Sequence, residues 1–94
     1  MRFRVRLTRA AEYDLIRLAG FLEEFSSETA DKGRSVLRGA IDSLAEMPER
    51  VSRIPGGEYR DLIVPFGAAG YVIRFRIDEE TVVIVGIFHT REDR

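Results

Sequence analysis

The run Thr81–Phe88, TVVIVGIF, constrains the fold most, because it is eight residues without a charge in a chain that is 33% charged. A run of this length, rich in β-branched residues and apolar on both faces, reads as a central strand. Such a strand needs neighbours on both edges and a cover over its sheet. Tyr71–Ile77 supplies one neighbour by alternation. Tyr71, Ile73, Phe75 and Ile77 fall on one face, and Val72, Arg74 and Arg76 on the other. Tyr59–Val64 reads as a third strand. Gly67–Gly70 and Asp78-Glu79-Glu80 lie between the runs as turns, so the three strands form an antiparallel meander.

The first half must provide the cover. Residues 2–7 alternate Arg2, Arg4 and Arg6 with Phe3, Val5 and Leu7, a strand with one wet face whose pairing the residues do not specify. Thr8 is placed to cap a helix over 9–25, with Ala11, Leu15, Leu18, Leu22 and Phe25 as its apolar stripe. Ser26-Ser27 break that pattern. A second helix over about 28–46 carries Gly33, Val36, Leu37, Ala40, Ile41 and Leu44, and Pro48 ends it. Gly33, Gly39 and Ala40 are small enough to let the two helices approach closely. Pro48, Pro55, Gly56 and Gly57 mark a loop. The predicted fold is α+β, in the order β-α-α-β-β-β, with a helical hairpin packed on a small antiparallel sheet as a single domain over residues 1–94.

Composition narrows the function. There is no cysteine, which excludes disulfides, zinc–thiolate sites and thiol nucleophiles. No apolar run approaches the roughly 20 residues that cross a bilayer, and no membrane association is expected. The start, MRFRVRLTR, has no apolar stretch behind its charges, so a cytoplasmic location is expected. The net charge is −1, with the positive charge gathered in residues 1–11 and 50–77. That balance argues against sequence-specific DNA binding by this chain, which usually requires a clear positive excess. The acids of the first helix show no metal spacing, and no metal or cofactor is expected. Gly67-Ala68-Ala69-Gly70 lacks the GK[ST] ending of a phosphate loop.

Four segments, VRLTRAAEYDL, LAEMPERV, YRDLIV and GYVIRFRIDEETVVIVGIFHTRED, occur in an order and spacing that resembles the RelE/ParE toxin superfamily over nearly the whole chain. The resemblance implies the toxin of a type II toxin–antitoxin pair, forming a hetero-oligomer with a cognate antitoxin. RelE-like members cut messenger RNA in the ribosome, and ParE-like members block DNA gyrase. The nuclease branch has an arginine after the tyrosine that opens the third strand, and lysines on the strand before it. Here Tyr71 is followed by Val72, and the preceding strand reads Leu62-Ile63-Val64. Hydrophobic side chains cannot stabilise the charge that develops on a scissile phosphate. The chain is therefore closer to the ParE-like branch, with gyrase as the expected target and no catalytic residues assigned. The alternatives are a RelE-like ribosome-dependent mRNA endonuclease or a non-toxic binding module of the same fold.

Five residues are candidates for partner binding. Arg74 and Arg76 share one strand face, as a solvated pair or as anchors for carboxylates. Arg60 matches an arginine of the family, set either against a carboxylate such as Asp61 or against a partner. His89, the only histidine, and Arg91 match family positions after the last strand. A hydrogen-bonded strand-end role is the simpler reading of His89.

Overall fold

A computed structural model describes residues 2–24, 26–67 and 69–90. Strand β1 (Arg4–Leu7) leads into helix α1 (Arg9–Glu23). The Thr8 hydroxyl accepts the Ala11 N–H at 3.2 Å, as a capping residue should. Ser26 does the same for α2 (Ser27–Ser43), accepting the Thr29 N–H at 2.9 Å. The sequence pattern carried the second helix to 46, but it ends at Ser43. Met47 stands before Pro48 at φ 47°, in the left-handed region, because proline excludes the helical conformation from the residue that precedes it. Pro48–Arg50 then forms a short 3-10 turn. The Arg50 guanidinium donates to the Glu46 carbonyl at 2.7 Å and to Ser43 Oγ at 3.0 Å, satisfying polar groups at the helix end.

Strands β2 (Arg60–Phe66), β3 (Ala69–Asp78) and β4 (Thr81–His89) form the expected meander. The sheet order is β1-β4-β3-β2. β1 runs parallel to β4, so the sheet is mixed rather than wholly antiparallel. β3 occupies only one edge of β4, and β1 fills the other. The turn between β2 and β3 is also shorter than the glycines suggested. It turns at Gly67, φ 62°, while Gly70 lies within β3.

The helical hairpin covers one sheet face. Ala11, Leu18 and Leu22 of α1 and Ala30 and Leu37 of α2 pack on Tyr71, Ile73, Phe75, Val82, Ile84 and Ile87. All eleven are at most 5% exposed. The close helix approach rests on Gly33, where a β-carbon would strike Leu22 Cδ1 and lie 3.1 Å from the Tyr71 hydroxyl. Gly39, by contrast, faces open space. Phe25 lies outside the described residues.

The Tyr71 hydroxyl is wholly buried and has no hydrogen-bond partner among the described residues. Burying an unsatisfied hydroxyl costs roughly 1–3 kcal/mol. Tyr71→Phe is therefore expected to raise stability by about 1 kcal/mol in urea melts. Burial also raises the Tyr71 pKa above the ordinary phenol value. The folded state thus holds this proton more tightly than the unfolded chain does. Its contribution is complete below the unfolded phenol pKa of about 10 and is lost as pH rises through the folded value. Tyr71→Phe should flatten that alkaline fall in stability.

Candidate partner-binding surface

The helices leave the other sheet face uncovered, and the pleat sends alternate side chains there. Across one rung, Arg6 of β1, Val83 of β4 and Arg76 of β3 stand side by side. Val83 is only 1% exposed, although no helix covers it. Arg74 lies on the same face. Its guanidinium grips Asp61 of β2 with two bonds, Nε to Oδ1 at 2.8 Å and Nη2 to Oδ2 at 3.0 Å. That hydrogen bonding raises the Arg74 pKa. The same guanidinium lies 5.6 Å from the centre of the Phe88 ring, within cation–π range. Phe88 folds over Gly86, where a β-carbon would meet the ring at 2.8 Å. Arg76 Nε reaches Glu58 at 3.8 Å. Exposed Ile63 completes the face beside this cluster.

The other candidates are dispersed. Arg60 donates to the backbone carbonyls of Glu49 and Val51, so it braces the 49–51 segment rather than pairing with Asp61. His89 lies on the helix side of the sheet, 8% exposed. Its ring centre is 5.6 Å from Phe21 and 5.5 Å from Tyr71. Arg91 lies outside the described residues. Of the four that are described, the structure brings only Arg74 and Arg76 together on an open surface.

Two features escaped the sequence reading. The first is Asp14 of α1, an acid to which the sequence pattern assigned no role. β1 pairs β4 only as far as Ile84, leaving the later part of that β4 edge without a strand. Asp14 Oδ2 accepts the Ile87 N–H there at 2.9 Å. Arg17 Nη2 donates to the Ile87 carbonyl at 3.3 Å and to Asp14 Oδ1 at 3.3 Å. The two helix residues together satisfy a piece of strand edge. A signal for this was present, since Asp14 lies three residues after Ala11 and four before Leu18, inside the apolar stripe. The second is an apolar groove of about 670 Å³ between the helices, lined by Leu7, Leu15, Ile16, Ala19, Arg38 and Ile41, among others. Ile16 is 72% exposed at its rim. This groove depends on how the helices diverge, which no local pattern encodes.

Among the described residues there is no cluster of three potential metal ligands, and no helix is long and apolar enough to cross a membrane. The open sheet face combines a carboxylate-held arginine, an aromatic ring and an exposed isoleucine.

Comparison with known proteins gives a consistent family. Residues 5–94 match the family model described as ParE toxin of type II toxin-antitoxin system, parDE. The chain is 36% identical over 94 residues to Toxin RelE1 of Caulobacter vibrioides, covering 100% of both chains. It is 32% identical to Toxin RelE3 of the same organism over 90 residues, 96% of this chain and 97% of that one. Among solved structures, the chromosomal ParDE system of P. aeruginosa aligns with TM-score 0.80 at 17% identity, over 96% of this chain and 98% of that one. The RelBE2 toxin–antitoxin complex of Mycobacterium tuberculosis aligns with TM-score 0.60 at 26% identity, over 95% and 99%.

Proposed function

This chain belongs to the ParE toxin family of type II toxin–antitoxin systems, and from that premise we propose that it is held silent by a cognate antitoxin and acts in the cytoplasm by binding DNA gyrase. The carrying observation is the state of Arg74 on the open sheet face. Arg74 is gripped by both oxygens of Asp61 and stacked near Phe88. Stabilising a phosphate in its transition state calls for cations aimed at that phosphate rather than engaged by a neighbouring carboxylate. The adjoining positions are Val72, buried, and Ile63, exposed and apolar. A face of this composition suits a protein surface.

The test is a gyrase supercoiling assay with the purified chain, alone and with its antitoxin. Inhibition that the antitoxin relieves is the expected result. Full supercoiling at saturating chain rejects gyrase as the target. The name RelE carried by the Caulobacter relatives supports a second reading, ribosome-dependent mRNA cleavage, with Arg74, Arg76 and Arg91 sharing the phosphate. Transcript cleavage in a translating extract, lost on Arg91→Ala, would establish that reading instead.

A further inference from the structure

The arginines of the open sheet face are not all in the same state. Arg74 is neutralised by both oxygens of Asp61. Arg76 reaches only Glu58, with Nε 3.8 Å from a side chain that is 68% exposed. An ion pair so long and so wet contributes little. Arg4 and Arg6 stand exposed on the same face and make no ion pair among the described residues. The acid on their part of the face is Asp78, which lies across Thr81 from Arg4. Arg4, Arg6 and Arg76 therefore leave a positive excess here, in a chain whose net charge is −1.

Val83 shows how two of these cations are held. It is 1% exposed with no helix over it. Its neighbours in the rung are Arg6 and Arg76, whose aliphatic stems are long enough to lie over it. Neighbouring strands are about 4.8 Å apart, so the two arginine backbones stand about 10 Å apart with Val83 between them. A stem laid on an apolar floor has given up part of its rotamer freedom before a partner arrives. The rung thus presents a pair of partly ordered guanidinium groups. Each is a planar fork that matches a carboxylate with two hydrogen bonds.

The acids on this face select among anionic partners. A nucleic-acid backbone carries charge along its whole length. Laid across the sheet, it would meet Asp61 and Asp78 as well as the arginines. A protein surface carries separate carboxylates with neutral and apolar groups between them, which suits a face of mixed charge. Ile63, 60% exposed on β2, adds an apolar contact at the far side of the sheet.

We propose that the rung of Arg6, Val83 and Arg76, joined by Arg4, grips an acidic patch on the protein target of this toxin. Two carboxylates of the target would span the rung, one on each guanidinium, and an apolar side chain of the target would cover Ile63. The inference rests on the gyrase reading above, which it deepens by naming the gripping residues and the charge of the surface they meet.

The experiment titrates gyrase supercoiling with the unmodified chain and with the double variant Arg6→Glu, Arg76→Glu. The concentration for half-inhibition is expected to rise by about tenfold or more in the variant, because like charges then face the target. Arg6→Lys with Arg76→Lys keeps stems and charges and should lose only about threefold, through the missing fork. Lys32→Glu reverses a charge on α2, in the other layer, and should leave inhibition unchanged. Circular dichroism and melting temperature establish that each variant is folded. Should the double reversal not fold, Arg6→Gln with Arg76→Gln replaces it, with an expected loss of about fivefold. Inhibition by the unmodified chain should also weaken as salt is raised, and that by the charge variant should respond less. A folded charge variant that inhibits like the unmodified chain overturns the site. Inhibition indifferent to salt overturns its ionic character. A variant that still inhibits gyrase but no longer cleaves transcripts in a translating extract assigns the rung to phosphate instead, which also overturns it. Full supercoiling at saturating unmodified chain is a different failure, since it rejects the gyrase reading and this inference with it before any variant is compared.

Discussion

Asp14→Ala should unfold this domain more readily than any substitution of its surface acids, lowering stability by about 2–3 kcal/mol in urea titration. Ile87 is wholly buried, and Asp14 is the acceptor of its N–H. Removing the carboxylate leaves that donor without a partner, at roughly 1–3 kcal/mol. It also releases Arg17 from the ion pair that holds it beside the Ile87 carbonyl. For a domain of this size the melting temperature should fall by about 10 °C or more. Asp14→Asn separates the two contributions, because its amide oxygen still accepts the Ile87 N–H while the charge pairing with Arg17 is gone. A loss of about 1 kcal/mol is expected for it. If Asp14→Ala instead melts like the unmodified chain, the clamp contributes nothing to stability.

Gly70→Ala should be comparably damaging, for a different reason. A β-carbon at this position would collide with the Val64 carbonyl oxygen and lie 3.2 Å from Pro65 Cα. These are backbone atoms of the paired strand, so no side chain can rotate away. The β2–β3 ladder would have to open locally, and overpacking of this kind costs about 1–3 kcal/mol. The same shift would disturb the two Gly70 bonds to Thr90, at 2.8 and 3.1 Å, which tie the ends of β3 and β4 together. Gly67→Ala is the control. Open space surrounds that position, and the cost there is only the strain of a positive φ. Equal denaturation midpoints for Gly70→Ala and the unmodified chain would contradict this account.

Much of the fold was legible in the residues because it follows from short-range periodicity. The alternation of Tyr71–Ile77, the uncharged Thr81–Phe88 and the Thr8 cap are local signals, and each led to the element observed. The end of α2 was misplaced because the reading used Pro48 alone. The left-handed Met47 and the Arg50 guanidinium close that helix earlier. The candidate surface was only partly legible. Arg74 and Arg76 were placed on one strand face by the pleat alone. Their neighbours Asp61 and Phe88 depend on strand register, and so does the bulge between Arg74 and Phe75. A register slip of one residue would send every one of these side chains to the other face.

The sequence by itself therefore determined the elements, their order, the apolar face of each and the family to which the whole pattern belongs. Tertiary structure alone decided that β1 lies parallel to β4, that Asp14 and Arg17 close the remaining β4 edge, and that Arg6 and Arg76 flank Val83 in one rung. The physical reason is the range of the interactions. Helical and pleated periods are written within a few neighbouring residues. The partner of the backbone N–H at Ile87, or the neighbour of Arg76 across Val83, is set by which distant segment arrives beside it, and that follows only once the whole core has packed.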